Sequence, residues 1–149
     1  MLRLSASSGC PDNPNCALGL RATYGVNVLP VLVRTTDTGF AVEALDSGQA
    51  QVAIVFSSNP DAARPDLLIL KDDLGMIGPD HVAPILRRSL LRQYGRFAAD
   101  IRRRLDAASR LITTPVLRAL NQQARDGRIP EALGGEFVDA NGLGGTAKA

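Results

Sequence analysis

The chain has 149 residues, 45% of them hydrophobic, and its 17 basic and 15 acidic side chains give a formal net charge of +2. This length suits one domain core or pieces of two domains. No apolar run approaches the roughly 20 residues of a membrane-spanning helix. The start of the chain, Met1 to Ser5, has no long apolar stretch, so no signal peptide is expected in this chain.

Two cysteines near the start, Cys10 and Cys16, flank the sequence Pro-Asp-Asn-Pro-Asn. Such a turn-rich stretch brings the two side chains together, so a disulfide is predicted, which persists only in an oxidising compartment. Two unpaired thiols are the alternative. Zinc is disfavoured, because the chain has one histidine, His81, and no second cysteine pair.

A strand, a helix and a second strand are predicted next. Val31 to Thr35 and Gln51 to Phe56 are rich in β-branched and apolar residues, and Gly39 to Asp46 between them has helical spacing. Gly48 stands where a helix-terminating glycine is expected. A crossover of this length predicts that the two strands are parallel neighbours.

A polar turn then interrupts the apolar sequence at Ser57 to Pro60. A catalytic loop, a hinge that lines a ligand cleft and an ordinary turn are three interpretations of it. Two further strands are predicted at Leu67 to Leu70 and Val82 to Leu86, without a helix between them. The sheet pattern therefore changes after Phe56.

Beyond Arg88 the pattern becomes helical, and Gly95 is expected to kink or divide the first helical segment. The apolar stripe of this segment consists of Leu90, Leu91, Tyr94, Phe97, Ala98, Ile101, Leu105 and Ala108. The opposite face is basic and contains Arg87, Arg88, Arg92, Arg102, Arg103 and Arg104. Acidic residues are interspersed and aromatic residues are few, so a solvated helix face is favoured over a phosphate-binding face, and no nucleic-acid partner is expected.

The next helix is predicted to begin with Thr113 or Thr114 as its cap, with Pro115 in the first turn, and to end before Gly127. A last helix is predicted from Pro130 to about Ala140. Residues 144–149 are expected to form a flexible tail.

A serine hydrolase would use Ser57 or Ser58 as the nucleophile, His81 as the base and Asp72 or Asp73 to orient it. The serines lack a nucleophile-elbow sequence, which disfavours this hypothesis. Asp72 and Asp73 are adjacent, and neighbouring residues on an extended chain point to opposite faces. Neither a metal site nor a cofactor is therefore predicted. The pair is expected to form a solvated strand end, and a carboxylate that caps or braces the following turn is the alternative.

Four stretches carry a family resemblance. They are "GCPDNPNCALGLRATYGVNV" from Gly9, "FSSNPDAARPDLLILKDD" from Phe56, "GPDHVAPILRR" from Gly78 and "LITTPVLRALNQQ" from Leu111. In this order they resemble the substrate-binding proteins of glycine betaine, choline and carnitine ABC transporters. Those proteins have a strand ending in an aromatic residue, a Ser-Thr-Asp turn, and a second strand ending in Lys-Asp-Asp. The resemblance covers about Leu4 to Leu143.

The resemblance implies an α/β fold of the periplasmic-binding-protein-like type II class, in which two lobes close on a small solute. Such proteins are typically about twice as long, so the chain resembles their C-terminal half, as a fragment or a product of a misplaced start. Residues 1–57 would form one βαβ portion of the second lobe. Residues 58–143 would supply the C-terminal strands and helices of the first lobe.

The ligand site implied by the resemblance includes Phe56, which stands where family members place an aromatic that contacts a quaternary ammonium cation. Ser57, Ser58 and Asn59 would line the cleft where the chain crosses between lobes. A second aromatic of the family is replaced by Asp80. An arginine that grips a ligand carboxylate in some members has no counterpart near Asp12 to Asn15.

The implied function is that of a solute-binding component of an ABC importer for quaternary ammonium compatible solutes, serving osmoprotection, and not that of an enzyme. Its partners would be the small solute, an ABC permease and the missing N-terminal half of the fold. It would be periplasmic or extracellular, secreted or lipid-anchored. A truncated, non-binding α/β remnant that depends on a partner chain is the alternative, and exposed strand edges would favour a homodimer.

Overall fold

The computed structural model describes residues 2–79 and 82–144, and the chain separates into two compact units, Met1–Pro79 (unit 1) and Asp80–Ala149 (unit 2). The described part of unit 1 contains strands β1 (Leu4–Ser7), β2 (Leu32–Thr35) and β3 (Val52–Ala53), and helices α1 (Ala17–Tyr24) and α2 (Thr38–Asp46). The described part of unit 2 contains helices α3 (Arg88–Tyr94), α4 (Ala98–Leu111), α5 (Thr114–Arg125) and α6 (Pro130–Ala140). Single 3₁₀ turns lie at Cys10–Asp12, Leu29–Val31, Pro60–Ala63 and Gly95–Phe97. The lobe boundary after residue 57 concerns a complete bilobed protein and stays a prediction.

The sheet of unit 1 has the strand order β2-β1-β3, and both outer strands run parallel to β1. Leu4 of β1 is level with Leu32 of β2 and with Val52 of β3. Helix α2 thus connects two parallel strands, which confirms their direction. The prediction that they are neighbours is wrong, because β1 lies between them. The residues of β1, Leu-Ser-Ala-Ser, include no β-branched or aromatic side chain and give little strand signal of their own.

Strand β3 is shorter than the predicted strand from Gln51 to Phe56. After Val52 and Ala53, the N–H of Ile54 still donates to the carbonyl oxygen of Ser5 at 2.9 Å, and the chain then leaves the ladder. Because β3 pairs with β1 on one side, its last residues are not fixed by a second neighbour. The strand signal therefore extends further than the strand.

Buried apolar residues fill both faces of the sheet. Leu4 and Ala6 of β1 belong to a buried cluster that also contains Cys10, Cys16, Ala17 and Val28. Since side chains alternate along a strand, Ser5 faces the other side, where α2 contacts the sheet. Helix α2 buries Ala41, Val42 and Ala44. The sheet is thus covered by small and medium-sized side chains.

The two predicted strands at Leu67–Leu70 and Val82–Leu86 are absent: the structure shows no regular secondary structure over either segment. Leu68 is 85% exposed and Ile85 is 96% exposed. Apolar side chains make a segment capable of strand formation, but a strand also needs hydrogen bonds from a neighbouring strand. Neither segment pairs with a described residue of this chain in that way, and both predictions are wrong for this structure.

The helices of unit 2 agree closely with the predicted pattern. Gly95, with φ +46°, follows α3 and separates it from α4, so the predicted division is confirmed. Pro115 lies in the first turn of α5, after the N-cap residue Thr113. Gly127, with φ +93°, follows the end of α5, and α6 begins at the predicted Pro130. Among the described residues, no helix combines the length and apolar character needed to cross a bilayer.

Candidate functional site

The candidate site is the edge of the sheet where all three parallel strands end, here called the carboxyl edge. It consists of Ser8–Cys10 after β1, Thr36–Asp37 after β2 and Phe56–Asn59 after β3. Parallel α/β sheets bind ligands outside the carboxyl ends of their strands, because the connecting loops and helix N-termini meet there. These three short segments are therefore the candidate ligand-binding segments of unit 1.

The segment after β1 is held from both sides. The N–H of Ser8 donates to the carbonyl oxygen of Thr35 at 2.9 Å, which joins the ends of β1 and β2. Cys10 and Cys16 form a disulfide with a Cα–Cα distance of 5.2 Å, and both residues are buried. This bond closes a tight loop directly beyond Gly9. The central part of the carboxyl edge is consequently fixed.

The segment after β2 leads into the first turn of α2. One carboxylate oxygen of Asp37 accepts hydrogen bonds from the N–H groups of Gly39 at 2.7 Å and Phe40 at 3.3 Å. Asp37 is thus the N-cap of α2, and its position satisfies two N–H groups that lack helical partners. The hydroxyl of Thr35 donates to the carbonyl oxygen of Asp37 at 2.7 Å. These bonds set the direction in which α2 leaves the sheet.

The segment after β3 contains the residues predicted to bind ligand. Phe56 is 68% exposed, Ser57 is exposed, Ser58 is half-buried and Asn59 is 9% exposed. The N–H of Asn59 donates to the carbonyl oxygen of Phe56 at 2.9 Å, which closes the turn. The side chain of Asn59 accepts from the N–H of Asp61 at 3.0 Å and so caps the 3₁₀ turn that follows. The exposed surface at this point is formed by Phe56 and Ser57.

An ion pair anchors the chain just after this turn. Arg64 donates to both carboxylate oxygens of Asp46 at 2.8 and 2.9 Å, and to Asp66 at 2.6 and 3.1 Å. Hydrogen bonds from Arg64 hold the pKa of Asp46 and of Asp66 below their usual range. Because Asp46 is the last residue of α2, the polar turn is tied to that helix at its far end.

Asp72 holds the next segment to α1. Its carboxylate accepts hydrogen bonds from the hydroxyl of Tyr24 at 2.5 Å and from the N–H groups of Met76 and Ile77 at 2.9 and 2.8 Å. The Tyr24 hydrogen bond, with the two N–H groups, lowers the pKa of Asp72, and the same bond raises the pKa of Tyr24. The alternative in which a carboxylate braces the following turn is therefore confirmed, and the solvated strand end is wrong for Asp72.

Helix α1 also approaches this segment closely at Gly19. A Cβ atom placed on Gly19 would lie 2.0 Å from the carbonyl oxygen of Pro14 and 2.9 Å from the Cγ and Sδ atoms of Met76. Pro14 belongs to the disulfide loop, so α1 is packed between that loop and the segment braced by Asp72. Glycine is the residue that permits this distance.

The structure therefore brings Phe56, Ser57, Ser58 and Asn59 to the carboxyl edge, where the disulfide loop also begins. Two other predicted residues, the ligand residue Asp80 and the hydrolase base His81, lie outside the described residues. Asp72, one of the two carboxylates of the hydrolase hypothesis, is occupied by Tyr24 and backbone N–H groups. No group of three or more His, Cys, Asp or Glu side chains in ranges 2–79 and 82–144 is placed to hold a metal ion.

Two solved structures share the architecture of the chain. One is a glycine betaine/carnitine/choline ABC transporter protein, with a TM-score of 0.71 and 24% identity over 95% of this chain and 50% of its own. The other is apo YehZ from Escherichia coli, with a TM-score of 0.57 and 19% identity over 97% of this chain and 52% of its own. The chain has an α/β architecture of the periplasmic-binding-protein-like class and spans about half the length of these proteins.

No curated protein sequence matches the chain significantly. A sequence profile of one family does match, over residues 5–140, and its description is the substrate-binding domain of the ABC-type glycine betaine transport system. The match includes both units and nearly all the described residues. The chain therefore belongs to the family of substrate-binding domains of ABC-type glycine betaine transport systems.

Proposed function

We propose that this chain is part of the solute-binding component of an ABC importer, and that the solute is a quaternary ammonium compound of the glycine betaine or choline type. The observation that carries the proposal is the family match over residues 5–140. The solute would bind in a cleft between two lobes, of which unit 1 supplies the carboxyl edge. Hinge closure around the solute would present the loaded protein to its permease.

The chemistry of the carboxyl edge supports a cationic solute. A quaternary ammonium group has no N–H to donate, so it is recognised by the negative face of an aromatic ring, and Phe56 offers an exposed ring three residues after β3. The segment Asp12 to Asn15 contains no arginine. A ligand carboxylate therefore lacks the partner expected there, which favours choline over glycine betaine.

The second half of the fold is proposed as a partner, because the chain spans about half of each matched structure. The site would be periplasmic or extracellular and attached to the membrane as a lipoprotein or through the permease. The Cys10–Cys16 disulfide supports an oxidising compartment.

Titration calorimetry with choline, glycine betaine, carnitine and proline tests this function, using the chain alone and a form extended by a complementary half. We expect choline to have the lowest dissociation constant of the four solutes, and the extended form to bind it more tightly than the chain alone does. The neutral isostere 3,3-dimethylbutan-1-ol, which replaces the ammonium nitrogen of choline by carbon, is the control. Equal affinity for choline and the isostere, or no binding by either form, would contradict the proposal.

A partner-dependent structural domain is the second candidate function, and the exposed apolar segments Leu67–Leu70 and Val82–Leu86 favour it. Such a remnant would bind no solute and would associate through these segments or through the outer strands β2 and β3. Size-exclusion chromatography with light scattering distinguishes the candidates. A dimer that forms regardless of choline, together with a silent calorimetric titration, would favour the structural domain.

A serine hydrolase is not supported. Asp72 is engaged by Tyr24, Met76 and Ile77, and the turn that holds Ser57 and Ser58 is stabilised as a cap by Asn59. An esterase activity that disappears in Ser57→Ala or Ser58→Ala would reverse this conclusion.

A further inference from the structure

Positive charge is concentrated in one stretch of unit 2, residues 87–111, here called the basic segment. It comprises Arg87, α3, the 3₁₀ turn Gly95–Phe97 and α4. Eight arginines and two aspartates give the basic segment a net charge of +6, whereas unit 1 has five basic and eight acidic residues. The small formal charge of the whole chain therefore conceals a strongly cationic part of its surface.

The aspartates of the basic segment do not offset the charge at its amino-terminal end. The carboxylate of Asp100 accepts hydrogen bonds from Arg103 at 2.7 Å and from Arg104 at 2.8 Å, so it is engaged within α4. Residues 87–97 contain no acidic side chain. The four arginines of this stretch are all exposed, and they are Arg87, Arg88, Arg92 and Arg96. Their charge is therefore presented to whatever lies against this surface.

Exposed apolar side chains lie among these arginines. Tyr94 is 48% exposed and Phe97 is 54% exposed, at the junction where Gly95 separates α3 from α4. The guanidinium carbon of Arg96 lies 4.9 Å from the centre of the Phe97 ring. Ile85, shortly before α3, is 96% exposed. Cations thus border apolar side chains that unit 2 does not cover.

A surface of this chemistry fits an anionic lipid bilayer. Helices that lie along a membrane place an apolar face at the boundary between headgroups and acyl chains, while their arginines are attracted to anionic lipids. A second copy of this chain is a poor partner for the same face, because it would bring a second cationic segment against the first. A nucleic-acid duplex is anionic as well, but its phosphate backbone gives the rings of Tyr94 and Phe97 no apolar environment.

We propose that residues 85–97 form a docking surface for an anionic lipid bilayer. The arginines contact the lipid phosphates, and Tyr94 and Phe97 enter the headgroup boundary. The helices lie on the membrane and do not span it, because α3 has 7 residues and α4 has 14, against the roughly 20 that a spanning helix needs. Neither the carboxyl edge nor a solute takes part in this contact, which stands apart from the proposed function.

Sedimentation of the full chain with lipid vesicles tests the docking surface. Vesicles of equimolar phosphatidylglycerol and phosphatidylcholine should retain the chain, and vesicles of phosphatidylcholine alone should not. Retention should fall as the salt concentration rises, because salt screens the attraction between arginines and phosphates. Equal retention by both kinds of vesicle, or by neither, would overturn the proposal. Tighter binding to double-stranded DNA than to the anionic vesicles would overturn it in favour of a nucleic-acid surface.

Paired arginine substitutions separate the docking surface from the net charge of the chain. Arg88→Gln combined with Arg92→Gln should weaken binding to the anionic vesicles about 25-fold, since each arginine near an anionic surface accounts for about fivefold. The matched control, Arg21→Gln combined with Arg34→Gln, removes the same charge from exposed positions of unit 1 and should change binding less than about twofold. Equal losses in the two pairs would overturn the assignment to residues 85–97.

A tryptophan reporter locates the apolar contact, because the chain contains no tryptophan of its own. The fluorescence of Phe97→Trp should shift to the blue on anionic vesicles, and Tyr94→Trp is the second reporter of the same contact. Phe40→Trp, at a ring of similar exposure in unit 1, should show no shift. Circular dichroism of each variant checks the fold. Retention on anionic vesicles with both reporters still in water would overturn the insertion of the aromatic pair.

Discussion

Unit 1 and unit 2 bury their apolar residues to very different extents. Unit 1 has a continuous cluster around β1, in which Leu4 is 6% and Ala6 is 1% exposed. In the described part of unit 2, Leu133, at 4% exposed, is the one buried apolar side chain. The stripe predicted for α3 and α4 is half-buried at Ile101 and Leu105, and Phe97 is 54% exposed.

This difference shows that a sequence can specify helices without also burying the apolar residues that form a hydrophobic core. The helices of unit 2 are specified by local signals, such as Gly95 and Gly127 at their ends and the ion pairs of Asp100 with Arg103 and Arg104. Such signals define a helix but contribute little to tertiary stability. Unit 1 instead gains stability from burial. We expect unit 2 to be the less stable of the two in isolation.

The largest expected effect comes from matched leucine truncations. Leu4→Ala should lower the stability of unit 1 by about 3 kcal/mol, whereas Leu105→Ala in half-exposed α4 should cost about 1 kcal/mol. Hydrogen exchange resolved by residue measures each unit separately. Equal losses for the two variants would contradict the contrast in burial.

Removal of the disulfide is expected to have the next largest effect. The double substitution Cys10→Ser and Cys16→Ser should reduce the stability of unit 1 by about 2 to 3 kcal/mol. Without the disulfide, the loop has more conformational freedom in the unfolded chain, and that freedom is lost on folding. The amides of unit 2 should exchange at unchanged rates. Reduction of the wild-type chain should reproduce the effect, and a stability that is independent of redox state would argue against it.

Acid should release the segment that Asp72 braces. Its pKa is lowered in the folded chain, so its stabilising contribution is present above the ordinary carboxyl pKa of about 4 and is lost as the pH falls through the lowered value. The amide resonances of Met76 and Ile77 should move in that range, and Asp72→Asn should remove most of the pH dependence.

The matched control for this titration is Tyr24→Phe, which removes the hydroxyl donor and keeps both N–H donors of Met76 and Ile77. Its transition should occur at a higher pH than in the wild-type chain. Asp46, Asp66 and Asp100 also have lowered pKa values and contribute in the same direction elsewhere. An identical titration of Met76 and Ile77 in wild type and Asp72→Asn would refute the brace.

The smallest effect is expected at Ser5. Its hydroxyl oxygen is buried and has no hydrogen-bond partner among the described residues. Removing an unsatisfied buried hydroxyl is close to neutral or slightly stabilising, so Ser5→Ala should change the stability of unit 1 by less than about 0.5 kcal/mol, or raise it. A clear loss of stability in a thermal unfolding experiment would reveal a partner for this hydroxyl.

The contrast between local helix signals and long-range packing also explains which elements the sequence predicts. The divided helix at Gly95, the start of α5 near Pro115 and the start of α6 at Pro130 depend on local chemistry, and all three were predictable. Strand β1 has no β-branched residue and was missed, because its central place is decided by contacts with β2 and β3. Leu67–Leu70 was predicted as a strand from its side chains, although strand formation depends on a neighbouring strand that the described residues do not supply.

Part of the candidate site could also be predicted from the sequence. Phe56 and the polar turn after it stand out as an aromatic residue at a strand end, and the fold places them at the carboxyl edge. Asp37 was missed as a residue of that edge, because its role as the N-cap depends on where β2 ends and α2 begins. An aspartate between a predicted strand and a helical pattern is the signal that would have identified it.

The central position of β1 has a consequence for the order of assembly. Strand β1 precedes both strands that pair with it, and they lie far along the chain, with β3 the later of the two. Long-range parallel pairing is slow, since the loop-closure entropy is lost before any strand contact is gained. Until Val52 and Ala53 are available, one edge of β1 stays open, so a nascent chain that pauses before residue 52 exposes the strand around which unit 1 is built.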